Sequence, residues 1–412
     1  MDADSKVASN SSAAANDKLG AQANGREAAE RILAEIDALA PEIAARAPEA
    51  EAARRMPPDV IQALKASSIF RMAAPKTKGG LELDFPSLVR ISQRLTKIDG
   101  SVGWLGTIGA AAGLVLPSLP HETYEEVYQN GPDVMFAGAA QPSGTAEAVQ
   151  GGWRINGRWP FSSGCEDADW ICVSCVLTKD GKPLPGPIEG NPATSFVLLP
   201  ARDARIDDTW YSSGLKATAS HHVAFQDVTT TEKNLFDFAT ARPCVPGPLY
   251  SAPMQLLTLL HGTLALGMAE GALEDVVAMA RSGRRQQRAA TAMRDSEIVQ
   301  YELGRAQAKF GAAQMVHDSL AAHFWQQALA GALNTEARFT EATQFAIWIT
   351  ETCVDVVQAC FTLGGGAAVY DSSPLQRRLR DIEVAAQHAG VHQQHYALAG
   401  KHLLNQAAGP AT

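Results

Sequence analysis

An α+β architecture with segregated layers is predicted for this 412-residue chain by the order in which its periodicities change. Apolar residues recur at helical spacing up to about residue 130. Short β-branched runs separated by Gly, Pro and Asn then occupy residues 133–230. Long Ala-, Leu- and Gln-rich helical segments return from Gln255 to the end. A doubly wound fold would need strands and helices to alternate along the chain, and here they do not. The boundaries this implies are a disordered tail over 1–25, a helical domain over 26–130, a β domain over 131–240 and a helical bundle over 241–412.

The tail is rich in Ala, Ser, Asn, Asp and Gly, with too little apolar surface to offset its ordering entropy. From Glu27 to Ala47, Ile32, Leu33, Ile36, Leu39 and Ile43 recur at intervals of three and four, one face of a helix that Pro41 would kink and Pro48 would end. A second helix follows Pro57-Pro58, with Val60, Ile61 and Leu64 inward. The stretch from Ile69 to Leu83 carries Pro75 and Gly79-Gly80 and is a connecting turn; helix resumes over Phe85–Ile98 and from Gly103 to about Leu116. In the middle third VMFAGA, GGWRINGRWPF, WICVSCVL, TSFVLLP and HHVAFQDVTT are strands of a small barrel or sandwich, with a hairpin turn at Asn156-Gly157. The C-terminal helices break at Gly283, near Gly331 and at Gly364–Gly366, and no internal repeat is present.

Composition excludes several classes. With 35 Lys and Arg against 44 Asp and Glu, the net charge of −9 argues against a dedicated nucleic-acid binder. No stretch reaches 18 uninterrupted apolar residues, so no transmembrane helix is expected. The N-terminus lacks an apolar signal core, and six scattered cysteines make no disulfide framework, so a cytoplasmic location is expected.

Local features offer chemistry of uneven specificity. Cys172 and Cys175 form a C-x-x-C inside an apparent strand, where they point to opposite faces with no second pair to complete a metal site; they read as core. His221-His222 also face opposite ways, so at most one lines a pocket. Arg281, Arg284, Arg285 and Arg288 are either a solvated helix end or a clamp for phosphate. GGWRINGRWPFSSG ends in Ser162, Ser163 and Gly164, where side-chain and backbone donors could approach a planar heterocycle; a surface turn is the plainer reading. The glycines Gly364, Gly365 and Gly366 before a helix could cradle a phosphate, but no P-loop pattern is present. His388, His392 and His395 share a helical face by spacing; a metal, one functional histidine or ordinary placement all remain open.

Taken together, MPPDVIQALKASSIFRMAAPKTKGG, GGWRINGRWPFSSG with ADW, WYSSGLKATASHHVAFQDV, GTLALGMAEGALEDVVAMA and QACFTLGGGAAVYDSSPLQRRLRD resemble the acyl-CoA dehydrogenase superfamily in order, over about 26–405. The resemblance implies an N-terminal helical domain, a central β-barrel-like domain and a C-terminal four-helix bundle. It also implies flavin between barrel and bundle and a homotetramer in which neighbouring subunits complete the site. An acyl-CoA dehydrogenase needs a carboxylate base. Where much of the family has it, downstream of Arg380-Asp381, this chain reads His388-Ala389-Gly390-Val391. In this it is more similar to the flavin-dependent, two-component monooxygenase branch. That branch implies reduced FMN or FAD from a separate NAD(P)H-dependent reductase, molecular oxygen, and a flavin hydroperoxide kept from eliminating peroxide.

Carried over by this resemblance, His388 lies at the reactive edge of the flavin and assists proton transfers near neutral pH, with Ser163 or Ser162 on the ring. Trp159 and Thr218 in the matching segments, Arg284 and Arg285 at the phosphate, and Gly365 and Gly366 complete the cofactor set. The turn Asp99–Trp104 is followed by Thr107–Ala112 without the histidine that phenol hydroxylases of the branch carry. A lining of Trp104, Ile108 and Gly109 then suits a small aromatic needing no deprotonation, indoles favoured. A true acyl-CoA dehydrogenase and a non-catalytic flavin-fold subunit are the rival readings. No metal or nucleic-acid partner and no membrane association is expected.

Overall fold

The spacing of Ile32, Ile36 and Ile43 puts three branched side chains on one side of a helix, and all three are buried on α1 (Asp4–Ala53) of the computed structural model. Residues 4–238 and 242–407 are described, with side chains over 24–238 and 242–405. The disordered tail expected over 1–25 falls almost wholly outside those side chains. Pro48 does not end the helix as expected: α1 runs through Pro41 and Pro48 to Ala53. Both prolines are exposed, so a carbonyl losing its helical partner can turn to water, while Ala47 and Ala50 keep the buried side small.

Helix α2 (Pro58–Ala66) buries Val60, Ile61 and Leu64 as its pattern requires. Asp84 caps α3 (Phe85–Ile98) by accepting from the Ser87 amide. Asp99 caps α4 (Gly100–Val115) through the Ser101 and Val102 amides, so α4 starts three residues before the expected Gly103. Helix α5 (His121–Val127) closes the first helical region.

Strands β1 (Phe136–Val149), β2 (Gly152–Trp159), β3 (Trp170–Lys179), β4 (Lys182–Pro183), β5 (Thr194–Pro200), β6 (Arg205–Asp207), β7 (His222–Thr230) and β8 (Leu235–Phe236) follow. The sequence left barrel or sandwich open; the hydrogen bonds make one mixed sheet in the order β6-β7-β2-β1-β3-β5-β8, with β4 paired to β3. The β1–β3 pair is parallel and the rest antiparallel. The β1–β2 hairpin turns at Gln150-Gly151, where Gly151 takes φ +86°, and not at Asn156-Gly157. Gly157 lies within β2 opposite Gly144, and a Cβ on either would fall 2.6 or 2.2 Å from the Trp159 indole. The glycine pair is therefore a slot for a buried ring. Cys172 and Cys175 do face opposite ways, each buried in a different apolar cluster, and burial pushes the Cys175 thiol up to about 12.

The last region comprises α6 (Pro253–Arg281), α7 (Glu297–Leu329), α8 (Glu336–Gly364), α9 (Pro374–Ala385) and α10 (His395–Ala407), broken at the glycines the sequence marks. Three stretches, Gly100–Ser118, Pro253–Arg281 and Glu336–Ala367, are after all long and apolar enough to cross a membrane by length and composition. The first two are almost wholly covered by the rest of the protein, the third by half, so their apolarity has a use inside the fold.

Candidate active site

Strand pairing carries the Ser-Ser-Gly segment to its place. Beyond β2 the chain turns at Phe161 (φ +63°), where the Ser163 amide donates to the Phe161 carbonyl at 3.0 Å. It then runs beside the approach to β7: Ser162 N–H donates to His221 O at 3.1 Å and Gly164 N–H to Thr218 O at 2.8 Å. All three amides are thus used within the protein, and none is left for a planar ligand. Ser162 is 0% exposed and its hydroxyl, turned inward, has no partner among the described residues. Ser163 is half-buried, and of the two it is the less enclosed.

Ser163 heads a chain of hydroxyls. Its Oγ accepts from Trp104 Nε1 at 3.1 Å and lies 2.8 Å from Ser220 Oγ. Ser220 Oγ is 2.6 Å from Thr218 Oγ1, which donates to Leu215 O at 2.8 Å. The Leu215 backbone, at φ +49°, is held by Asp381 Oδ1, which accepts its amide at 2.6 Å. Asp381 is fully enclosed; burial and the nearby Asp99 charge raise its carboxyl to about 7. Arg54 to Asp208 at 2.5 Å and an isolated bridge between Arg55 and Thr218 tie this loop to the end of α1.

The three histidines near the C-terminus do not share a helix face as expected. Helix α9 ends at Ala385, His388 caps a short 3₁₀ turn, His392 follows that turn and His395 opens α10. No group of metal-binding side chains exists among the described residues. His388 Nδ1 accepts from the Gly390 amide at 3.1 Å, and an amide can only donate, so the imidazole proton sits on Nε2. The ring meets Trp104 edge-on at 5.6 Å and lies against His261 at 4.2 Å. This crowding pushes His388 down to about 4, although the residue as a whole is exposed in the single chain. Titration near neutral pH, expected from the free imidazole, is thereby removed: at pH 7 His388 is a neutral donor.

His261, on α6, is the residue sequence reasoning missed. It packs 5.9 Å from Trp104, and burial together with the neighbouring His388 holds it well below the ordinary imidazole range. A lone histidine in the apolar run LLTLLHGTLALG was the available signal. Ser220, inside the matched segment WYSSGLKATASHHVAFQDV and directly before the histidine pair, was given no role.

Other expected site residues divide. Trp159 is 0% exposed, its indole donating to Ser174 O at 2.7 Å and packing on Phe225; it is sheet core, out of reach of a ligand. Thr218 is buried and acts on the cleft only through Ser220. Gly109 is buried where a Cβ would strike Phe70 at 2.6 Å, so it serves helix packing, while Ile108 is half-buried beside the Trp104 cluster. His221 is buried and accepts from the Thr209 and Trp210 amides, which leaves no free Nδ1. Arg284 and Arg285 are exposed beyond α6, and the same loop touches the glycine triplet: Gln286 Nε2 donates to Leu363 O at 2.6 Å beside Gly365, itself at φ +58°. Two motifs far apart in sequence thus meet at one place.

That cluster is chemically uniform. A hydroxyl with an open lone pair, an N–H donor and flat aromatic walls suit a planar heterocycle with polar edges, such as a flavin ring, and no carboxylate touches them among the described residues. The acyl-CoA dehydrogenase N-terminal domain matches residues 26–127 and the acyl-CoA dehydrogenase C-terminal domain matches residues 259–393. Indole-3-acetate monooxygenase of Acinetobacter baumannii is 32% identical, covering 88% of this chain and 91% of that protein. The flavin-dependent monooxygenase oxygenase subunit HsaA of Rhodococcus jostii is 28% identical over 86% and 93%. The crystal structure of 3-HSA hydroxylase from Rhodococcus sp. RHA1 superposes with a TM-score of 0.83 at 26% identity, covering 93% of this chain and 98% of that one.

Proposed function

Starting from a chain that belongs to the acyl-CoA dehydrogenase superfamily and is a flavin-dependent monooxygenase, we propose that it hydroxylates or epoxidises a small aromatic compound of the indole class. Bound reduced flavin supplies the two electrons with which one atom of O2 enters the substrate and the other leaves as water. The observation that carries the reading is the neutrality of the cluster. Proton abstraction from an acyl thioester needs a carboxylate at the reacting carbon, and Trp104, Ser163, His261 and His388 offer none.

Each side chain has a task in that reading. Ser163 holds the ring edge; His388 presents Nε2–H beside it, fixed in direction by Gly390. Trp104, 7% exposed, shields the cleft from water while its N–H is spent on Ser163. His261 stands where a base could, but its depressed basicity makes it a poor acceptor for a phenolic proton. That favours a ring needing no ionisation, and the Acinetobacter relative is named for indole-3-acetate. HsaA is named as an oxygenase subunit, which supports a separate reductase as the source of reduced flavin here. Arg284, Arg285, Gly365 and Gly366 supply a phosphate-binding surface to the flavin of a neighbouring subunit in a homotetramer, with FMN and FAD both compatible. Exposed Tyr301, Met315, Trp348 and Leu403 on α7, α8 and α10 support assembly through those helices.

Reduced FMN or FAD, oxygen and indole should yield a product heavier by one oxygen atom, read by mass spectrometry. Hydrogen peroxide alone with every aromatic offered, together with reduction of bound flavin by acyl-CoA thioesters, would replace this reading by the dehydrogenase one.

A further inference from the structure

The hydroxyl chain behind Ser163 has only one consistent direction. Leu215 O is a carbonyl and cannot donate, so the 2.8 Å contact takes the single hydroxyl proton of Thr218. The 2.6 Å contact between Thr218 and Ser220 then takes the proton of Ser220, and the 2.8 Å contact between Ser220 and Ser163 takes the proton of Ser163. Trp104 Nε1, a donor only, fills one lone pair of Ser163. What remains on Ser163 is a single acceptor.

A flavin has one ring nitrogen on its reactive edge whose hydrogen-bonding sense reverses with redox state. Reduced, it carries a hydrogen and donates; oxidised, it presents a lone pair. We propose that Thr218 and Ser220 are positioning residues that lock Ser163 as an acceptor facing this nitrogen, so that the site selects flavin in its reduced state and rejects it once oxidised. This rests on the flavin reading above and deepens it: an oxygenase that receives its flavin by diffusion gains from taking the reduced form and releasing the spent one. The selectivity is held two residues behind the contact, in side chains that are themselves buried. Both carbonyls of the ring accept in either redox state, so an acceptor-only Ser163 is mismatched to them, and the N–H between them donates in either state and would give no preference, so the preference itself identifies the redox-dependent nitrogen.

The test is anaerobic titration of the full-length protein with reduced and with oxidised FMN and FAD, giving a dissociation constant for each form. One hydrogen bond gained in one state and a lone-pair clash in the other make the wild type prefer reduced flavin by about tenfold or more. Ser220→Ala frees the Ser163 proton to turn toward the ring. It should tighten oxidised flavin several-fold and shrink the preference to about twofold. A gain of affinity is not what loss of packing produces. Thr218→Val carries the same expectation should Ser220→Ala fail to fold, and Thr218→Ser, which keeps the hydroxyl, should keep the wild-type preference. Equal binding of both forms by the wild type, or an unchanged ratio in folded Ser220→Ala and Thr218→Val, would overturn the inference while leaving the flavin site standing. Failure of the wild type to bind either form of either flavin would overturn the site as well.

Discussion

At the scale of single residues, His388 is defined by one amide. Gly390 N–H occupies Nδ1 and leaves Nε2–H as the donor, and crowding keeps the ring neutral down to about pH 4. A residue doing this work loses it when the donor is removed, whatever the pH between 6 and 8. His388→Ala should consume oxygen without product, releasing peroxide, with the fraction of oxygen appearing in product down by on the order of tenfold or more. Simultaneous oxygen-electrode and product measurements check it, and unchanged coupling removes His388 from the mechanism. Ser163 was readable from its segment, but its preference over Ser162 was not. The two serines are adjacent, and the distinction is that Ser162 is wholly buried without a partner among the described residues while Ser163 is half-buried and bonded to Trp104 and Ser220.

At the scale of elements, the sheet shows how a local motif is overruled. Asn-Gly is a strong hairpin signal because both residues tolerate positive φ. Here the residue pair at the turn is Gln150-Gly151, while Gly157 makes room for Trp159 and the Asn156 side chain pairs with Asp227. The local signal is overruled because the register of β1 with β2 is set by which faces become buried. Gly157→Ala should therefore destabilise the protein by about 1–3 kcal/mol, as overpacking against a buried ring does. Gly151→Asn should cost less, about 1 kcal/mol of backbone strain at φ +86°, since asparagine is the residue that best tolerates positive φ and nothing lies within 4 Å of its Cβ. Urea unfolding of the two variants separates slot from turn; equal effects would mean that Gly157 is not packed on Trp159.

At the scale of the whole molecule, buried titratable groups pull stability in two directions with pH. His222, His261, His317 and His388 are all depressed by burial, so from about pH 6.5 downward the unfolded chain takes up protons that the folded one refuses. Stability contributed by their neutral forms is complete above that pH and is lost as pH falls toward 4. Asp381 has the opposite sign: with its folded value raised to about 7 from 3.8, the folded chain holds the extra proton between those limits. Its burden is present above pH 7 and relieved below. Thermal unfolding should show the melting temperature falling from pH 6.5 to 4.5. Asp381→Asn, which keeps the acceptor for Leu215, should gain on the wild type more at pH 8 than at pH 5. A displacement equal at both values would show that Asp381 ionises without cost where it lies.

What the amino-acid order determined by itself is everything that repeats over two to four residues. The helix–strand–helix succession, the limits of Phe85–Ile98 and the opposed faces of Cys172 and Cys175 all belong here, because a face of a helix or strand is a property of near neighbours. The motifs that carry the family resemblance are of the same local kind. Tertiary structure alone brought His261 of α6 against His388 beyond α9 and Trp104 of α4, and lined Thr218 and Ser220 up behind Ser163. Periodicity says which side of an element is buried and carries no information about what it is buried against. The direction of a proton along a row of hydroxyls depends on the last acceptor in the row, here a backbone carbonyl that pattern in the sequence does not mark.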